Sequence, residues 1–297
     1  MQYTQAGRSS MRISRIGFGC MSLKKENADV EPILHRAIDL GINYFDTADL
    51  YDKGQNESVV GKALKQKRKE LVLATKVGNE WRQDGSGWDW NPHKDYILRA
   101  VEQSLKRLQT DYIDLYQLHG GTIEDPIDET IDAFETLVQQ GKIRYYGISS
   151  IRPNVIRQWV ERSHMITVMM QYSLLDRRPE ESCLSLLEKN NIGVLARGSV
   201  AQGLLVNKPP KSYLNYSDED VQNAASMVRS VSELRTTAQT AMQFVLQNNA
   251  VAAAVVGIRT MDQLEEAARL FETDWLTVDE MNLLRSALPA NKYLDHR

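Results

Sequence analysis

Four side chains in the first 119 residues have the types needed to hand a proton to a carbonyl oxygen. Asp46 and Tyr51 stand five positions apart in "FDTADLY", Lys76 ends the apolar run "LVLATK" (71–76), and His119 ends "YIDLYQLH" (112–119). A free tyrosine hydroxyl, with a pKa of about 10, is a poor acid at neutral pH. A close lysine ammonium favours the phenolate, and an aspartate paired with that lysine keeps it charged and placed. A histidine can orient the substrate oxygen. Such a group protonates a carbonyl oxygen as it gains charge, a task worth roughly 10²–10⁴ in rate. The hydride that completes the reduction must come from a cofactor, since no side chain supplies one.

Each residue also has a plainer reading. Asp46 alone suits a cap or a salt bridge, Tyr51 alone a half-buried packing position. His119, before Gly120–Gly121, reads equally as a satisfied core histidine. Lys76 is less plain, because a lysine at an apolar strand end needs a partner. What favours chemistry is the joint placement at three successive strand ends.

The elements that must position them repeat along the chain. Short apolar runs occur at 16–20, 43–47, 71–76, 112–119, 144–150, 167–173, 193–199 and 252–257. They are near-continuously apolar rather than alternating, as parallel strands covered by helices are. Helical spacing lies between them: Ile127, Ile131, Phe134, Leu137 and Val138 share one face. Asp125 is the expected N-cap of that helix, with Pro126 in its first turn, and Asn91–Pro92 repeats the device. Gly41, Gly141 and Gly193 suit helix C′ positions, and after Tyr51 the chain turns at Gly54 with Asn56 capping the next helix. This alternation points to α/β architecture, a single (β/α)8 TIM barrel domain over residues 1–297. A doubly wound sheet is the rival, but no glycine-rich dinucleotide fingerprint follows any of these strands.

Two segments exceed ordinary connection length: Val77 to Asn91, holding Trp81, Trp88 and Trp90, and Leu204 to about Ser230, holding "NKPPKSYLNYSDED". The tryptophan segment is a candidate substrate lining, or equally a flap packed on the rim. In the barrel fold the polar residues at the carboxyl ends of the strands face the active site. Besides the four above these are Ser149, Ser150, Gln171 and Arg197.

Composition narrows the class. The 297 residues are 42% hydrophobic and 25% charged with formal net charge −3, which offers no case for nucleic-acid or anionic-membrane binding. The densest basic run, "KQKRKE" (65–70), reads as a solvated helix end. Cys20 and Cys183 are the only cysteines, too few for a disulfide framework. Neither a signal-peptide pattern nor a ~20-residue apolar span is present. The expectation is a soluble cytoplasmic protein acting on a small-molecule carbonyl substrate.

"FDTADLY", "LATK", "DLYQLH", "GISS" and "MMQYSLLDR" resemble the successive motifs of the aldo-keto reductase superfamily, in the order of its bacterial NADPH-dependent members; the likeness runs from "SRIGFGC" to "GIRTMDQLEEA". The resemblance implies an N-terminal β-hairpin on the barrel, long loops at its carboxyl face, NADPH bound extended there, and carbonyl reduction to an alcohol. It assigns Tyr51 as proton donor, Lys76 as its activator, Asp46 as the partner of Lys76, and His119 as the carbonyl-orienting group.

Cofactor positions follow by the same resemblance. Gly19, Cys20, Met21 and Asp46 lie after the first two strands; Ser149, Ser150 and Gln171 match the holders of the nicotinamide carboxamide. Ser150 stands where asparagine is usual, and Arg197 where an aromatic usually stacks on the nicotinamide. A guanidinium plane can stack as well. Gly198, Ser199, Gln202, Gly203 and Leu204 match the segment that wraps the pyrophosphate. Gly257 precedes Arg259 and Thr260, which match contacts to the 2′-phosphate, and Gln263 and Glu266 match the nucleotide end. An arginine there suits a phosphate dianion and favours NADPH; Ala267 replaces an asparagine often present. Two other functions are compatible with such a barrel: a lyase using Lys76 as Schiff-base nucleophile, and a nucleotide-holding regulatory or redox-sensing protein with little turnover.

Overall fold

The computed structural model describes residues 1–24 and 30–297. Its strands are β1 (Tyr3–Gln5), β2 (Arg12–Ser14), β3 (Ile16–Gly19), β4 (Tyr44–Asp46), β5 (Val72–Val77), β6 (Asn79–Trp81), β7 (Trp88–Trp90), β8 (Ile113–Leu118), β9 (Ile143–Ser149), β10 (Thr167–Gln171), β11 (Gly193–Arg197) and β12 (Val251–Gly257). The helices are α1 (Val30–Asp39), α2 (Gln55–Leu64), α3 (Lys94–Leu108), α4 (Ile127–Gln139), α5 (Pro153–Arg162), α6 (Cys183–Lys189), α7 (Asp218–Ser230), α8 (Thr237–Leu246), α9 (Met261–Ala268) and α10 (Val278–Ser286).

Eight parallel strands close in the order β10-β11-β12-β3-β4-β5-β8-β9. This is the (β/α)8 barrel expected from the eight apolar runs, and each run holds one of its strands. β1 and β2 form the antiparallel hairpin. Apolar side chains fill the interior: Ala6, Met11 and Ile13 from the hairpin segment pack with Tyr44, Leu115, Met169, Leu195 and Ala253. A second, larger core lies between the strands and the helices. With the interior filled, the carboxyl ends of the strands carry the accessible polar groups. Among the described residues no helix is long and apolar enough to cross a membrane.

Several local expectations need correction. Gly41 and Gly141 take positive φ (+85° and +70°) as helix terminators, but Gly193 opens β11, and Asn191 (φ 51°) makes the left-handed turn instead. Asp125 caps no helix; its carboxylate accepts from the Thr122 N–H and hydroxyl and from the Trp90 indole N–H. Arg68, inside the basic run, is buried against Asp114, while Lys65, Lys67 and Lys69 around it are exposed. The segment from Leu204 to Ser230 is not all loop: Ser217 and Asp220 form a capping box that starts α7. The tryptophan segment is a β6–β7 hairpin pairing Trp81 with Trp88.

Candidate active site

The strand ends bring Asp46, Tyr51, Lys76 and His119 to one place. Asp46 is the last residue of β4, and the register sets it beside Ala74 of β5. Two residues further along β5, Lys76 points to the same face. Its Nζ donates to Asp46 Oδ2 at 2.5 Å and to the Thr47 carbonyl at 2.8 Å, with only 1% of its side chain exposed. Nζ also lies 5.2 Å from the centroid of the Tyr51 ring. The His119 imidazole stands edge-on to the same ring, 5.8 Å between centroids. The His119 N–H of the backbone donates to the Val77 carbonyl at 2.7 Å, which fixes the end of β8 against β5.

The segment carrying Tyr51 is shaped by backbone conformation. Asp52 (φ 50°) and Lys53 (φ 53°) both adopt the left-handed region, followed by Gly54 at φ 82°. Only glycine does so without steric penalty, so this reversal between Tyr51 and α2 is held by its surroundings. Asn56, the expected cap, holds it: the helix begins after Gly54, and buried Asn56 donates to the carbonyls of Cys20 (2.8 Å) and Leu23 (2.6 Å) while accepting from Thr47 Oγ1 (2.5 Å). The loops after β3 and β4 are thereby tied together.

Burial and charge set the protonation states. Burial works against the Lys76 ammonium, but Asp46 and then Tyr51 outweigh it and hold its pKa above the ordinary value. Burial likewise pushes the Asp46 carboxyl up, opposed by Lys76 and by a bond from Gln117. His119 goes the other way: burial, then the charges of Lys76 and Arg197, push it down to about 3. The imidazole is therefore neutral at physiological pH, and its Nδ1 is buried with no hydrogen-bond partner among the described residues. Asp49, between Asp46 and Tyr51 in sequence, is buried outside this pair; burial and neighbouring Glu57 push its carboxyl well up. A buried ammonium against a phenol ring, beside a neutral imidazole, is an arrangement that can release a proton to an oxygen gaining charge.

The other strand ends carry the groups expected of a nucleotide site. Ser149 ends β9, and Ser150 is buried with its Oγ accepting from the Arg152 N–H at 3.2 Å. Gln171 ends β10; Arg197 Nη1 donates to its Oε1 at 3.0 Å, and its Nε2 donates to the Tyr213 hydroxyl. Past β11 the chain turns through Gly198 and buried Ser199 into a tight bend in which Ala201, Gln202 and Gly203 all have positive φ. At the end of β12, beyond exposed Gly257, Arg259 Nε donates to Ser22 Oγ at 3.2 Å. Thr260 caps α9 by accepting from the Gln263 N–H, and the Gln263 side chain accepts from the Arg259 N–H. Glu266 lies on α9 with its carbonyl taken by Gln239. Gly19 ends β3; Cys20 is wholly buried, with its carbonyl taken by Asn56, whereas Met21 is 62% exposed.

A cavity of about 770 Å³ is lined by Gln171, Gln202 and Leu204 together with Lys208, Lys211 and Tyr213. Sequence reasoning missed these last three; the length of the loop and its paired lysines were the signal. The tryptophans divide. Trp90 packs, with its ring over Gly78 and Gly120 and its N–H on Asp125. Trp81 lies under the Lys53 ammonium, 5.3 Å from its ring centroid, and Trp88 is 47% exposed. Among the described residues no group of three or more histidine, cysteine, aspartate or glutamate side chains could hold a metal.

The sequence profile of the Aldo/keto reductase family matches residues 15–289. The chain belongs to the aldo/keto reductase family. Uncharacterized oxidoreductase YqkF of Bacillus subtilis (strain 168) is 49% identical to this reductase-family chain over 306 residues, covering 100% of each. Aldo-keto reductase yakc of Schizosaccharomyces pombe, designated NADP(+), is 37% identical over 204 residues, or 65% of this chain and 60% of that protein. Among solved structures, aldo-keto reductase AKR11C1 from Bacillus halodurans (holo form) superimposes with TM-score 0.95 at 48% identity, covering 100% of this chain and 99% of its own. The family and the names of these relatives make the protein an oxidoreductase.

Proposed function

We propose that this aldo/keto reductase reduces aldehyde or ketone carbonyls to alcohols, with NADPH as hydride donor and Tyr51 as proton donor. The observation that carries the reading is the buried Lys76 ammonium, fixed on Asp46 at 2.5 Å and set 5.2 Å from the Tyr51 ring centroid. As the Tyr51 proton leaves, the ammonium stabilises the negative charge that forms on the phenol oxygen. Asp46 keeps the lysine charged and pointed. Neutral His119 has hydrogen-bonding capacity to orient a carbonyl oxygen beside the tyrosine.

The donor set at the strand ends fits a phosphorylated dinucleotide. Gln171, Gln202 and Leu204 line the cavity, and Lys208 and Lys211 bring positive charge suited to phosphate oxygens. NADPH, when bound, supplies the hydride. Arg259 and Thr260 would hold its 2′-phosphate, Gln263 and Glu266 its nucleotide end, and Gln202, Gly203 and Leu204 its pyrophosphate. Ser149, Ser150 and Gln171 would hold the carboxamide, with Arg197 available to pack on the nicotinamide. The relative designated NADP(+) supports the same choice of cofactor. A Schiff-base lyase is disfavoured, because an ammonium held above its ordinary pKa is a poor nucleophile.

The test is NADPH consumption against a panel of aldehydes, ketones and quinones, with NADH as control. Reduction of several panel members by NADPH is expected, and Arg259→Ala weakens NADPH far more than NADH. Tight NADPH binding with negligible turnover across the panel overturns the enzymatic reading in favour of a regulatory one.

A further inference from the structure

Gln117 is wholly buried inside the barrel, on β8 directly beside Lys76 of β5. Its Nε2 donates to Asp46 Oδ1 at 3.2 Å, while Lys76 takes Oδ2. Each carboxylate oxygen of Asp46 thus has its own donor. The other end of the Gln117 amide pays for this: Oε1 is buried with no partner among the described residues. A methionine of the same length would fill the space without an orphaned carbonyl. Tyr44, one layer below Asp46 on the same strand face, also bears on the carboxylate, but among the described residues its hydroxyl makes no hydrogen bond within 3.5 Å, whereas the Gln117 amide does. The unsatisfied carbonyl is a cost to stability that accompanies the bond to Asp46.

Resting on the reading of Tyr51 and Lys76 given above, we infer that Gln117 is a positioning residue of the proton-donating centre. Its amide clamps the Asp46 carboxylate so that Oδ2 faces the lysine, and keeps that carboxylate charged without introducing a second acid. A carboxylate clamped in this way holds Lys76 as ammonium over a wider pH range. Without the clamp the Asp46 carboxylate can turn away from the Lys76 Nζ, the ion pair weakens, and Lys76 gives up its proton at lower pH. The titratable groups around this position are Asp46 and Tyr44 from β4, Lys76 from β5, the buried Cys20 thiol after β3, and Tyr51 and His119 beyond the strand ends.

The test is the pH profile of kcat and KM for two variants of the full-length protein. Gln117→Met should lower kcat about tenfold, leave KM for NADPH within a factor of two, and move the basic limb of kcat about one unit to lower pH. Gln117→Glu gives the discriminating result. As the protonated acid it is an isosteric donor to Asp46 and should restore kcat at low pH, then lose it as the new carboxyl ionises. A Gln117→Met profile superimposable on that of the parent overturns the inference, as does a Gln117→Glu profile that parallels the parent at all pH. If Gln117→Met does not fold, the Gln117→Glu profile alone decides. An active Tyr51→Phe variant would instead overturn the proton-donor reading itself, whatever the Gln117 variants do.

Discussion

Replacing Lys76 with methionine separates the electrostatics of the centre from its packing. Methionine retains the length of the lysine stem, so the main loss is the charge. In the parent, Asp46 (side chain 5% exposed) faces an ammonium at 2.5 Å that also satisfies the Thr47 carbonyl. After the change, the Asp46 carboxylate keeps only Gln117, and the Thr47 carbonyl loses a charged donor. Removing one partner of a buried ion pair typically costs about 3–5 kcal/mol, because the remaining charge stays buried. The carboxyl escapes part of this by protonating. Its folded-state pKa then lies above the unfolded value, so the charged form is penalised and stability falls as pH rises through the interval between them. The Lys76→Met protein should therefore lose about 3–5 kcal/mol at pH 8 and clearly less at pH 5. Asp46→Asn combined with Lys76→Met should recover most of the loss, a coupling of at least about 2 kcal/mol. Urea denaturation followed by fluorescence and circular dichroism, on the cycle of four proteins at both pH values, measures this. Additive single losses, or an equal loss at pH 5 and pH 8, would refute the description of Asp46 and Lys76 as a buried ion pair.

Three further outcomes follow from the same structure. Because Asp52 sits at φ 50°, Asp52→Gly should be more stable than Asp52→Val by about 1–2 kcal/mol in thermal or urea denaturation; equal stabilities would mean that the turn is not held as described. His119, lowered from its ordinary 6.5 to about 3, binds a proton in the unfolded chain before it does in the folded one. Its stabilising contribution is complete above pH 6.5 and is lost as pH falls toward 3, so His119→Asn should remove up to about 1.4 kcal/mol per pH unit from the slope of stability in that window; an unchanged slope contradicts a neutral, desolvated imidazole. Trp90→Phe, which removes the indole N–H donated to Asp125, should cost about 1–2 kcal/mol in urea denaturation and leave NADPH affinity unchanged; a loss of affinity with unchanged stability would place Trp90 in the binding site instead.

Much of this was legible before the structure because the barrel translates sequence directly into position. A near-continuous apolar run is a strand covered on both sides, and the polar residue that ends it faces the mouth. That rule alone gathered Asp46, Lys76, His119, Gln171 and Arg197. What it missed depends on contacts between elements. Asn56 reads locally as a cap, yet its side chain is recruited by carbonyls from the loop after β3. Asp125 reads the same way but is taken by a loop and by Trp90. Arg68 lies in a run that looks solvated, and only the fold brings Asp114 within reach of it. Gln117 was hidden within its strand, since nothing in "DLYQLH" tells which strand residues point inward beside a lysine. The Ser217–Asp220 box that opens α7 has a legible S-x-x-D spacing, set a few residues after the Pro209–Pro210 pair that reads as loop.

The central claim is that Tyr51 gives up the proton. Its most direct test is Tyr51→Phe, which removes one oxygen and keeps the ring against His119 and Lys76. The measurement is single-turnover oxidation of bound NADPH by a saturating aldehyde, with NADPH affinity measured in parallel by fluorescence titration. The account predicts a rate lower by about 10²–10⁴, with NADPH affinity within twofold of the parent. A variant that oxidises NADPH at the parental rate would contradict it.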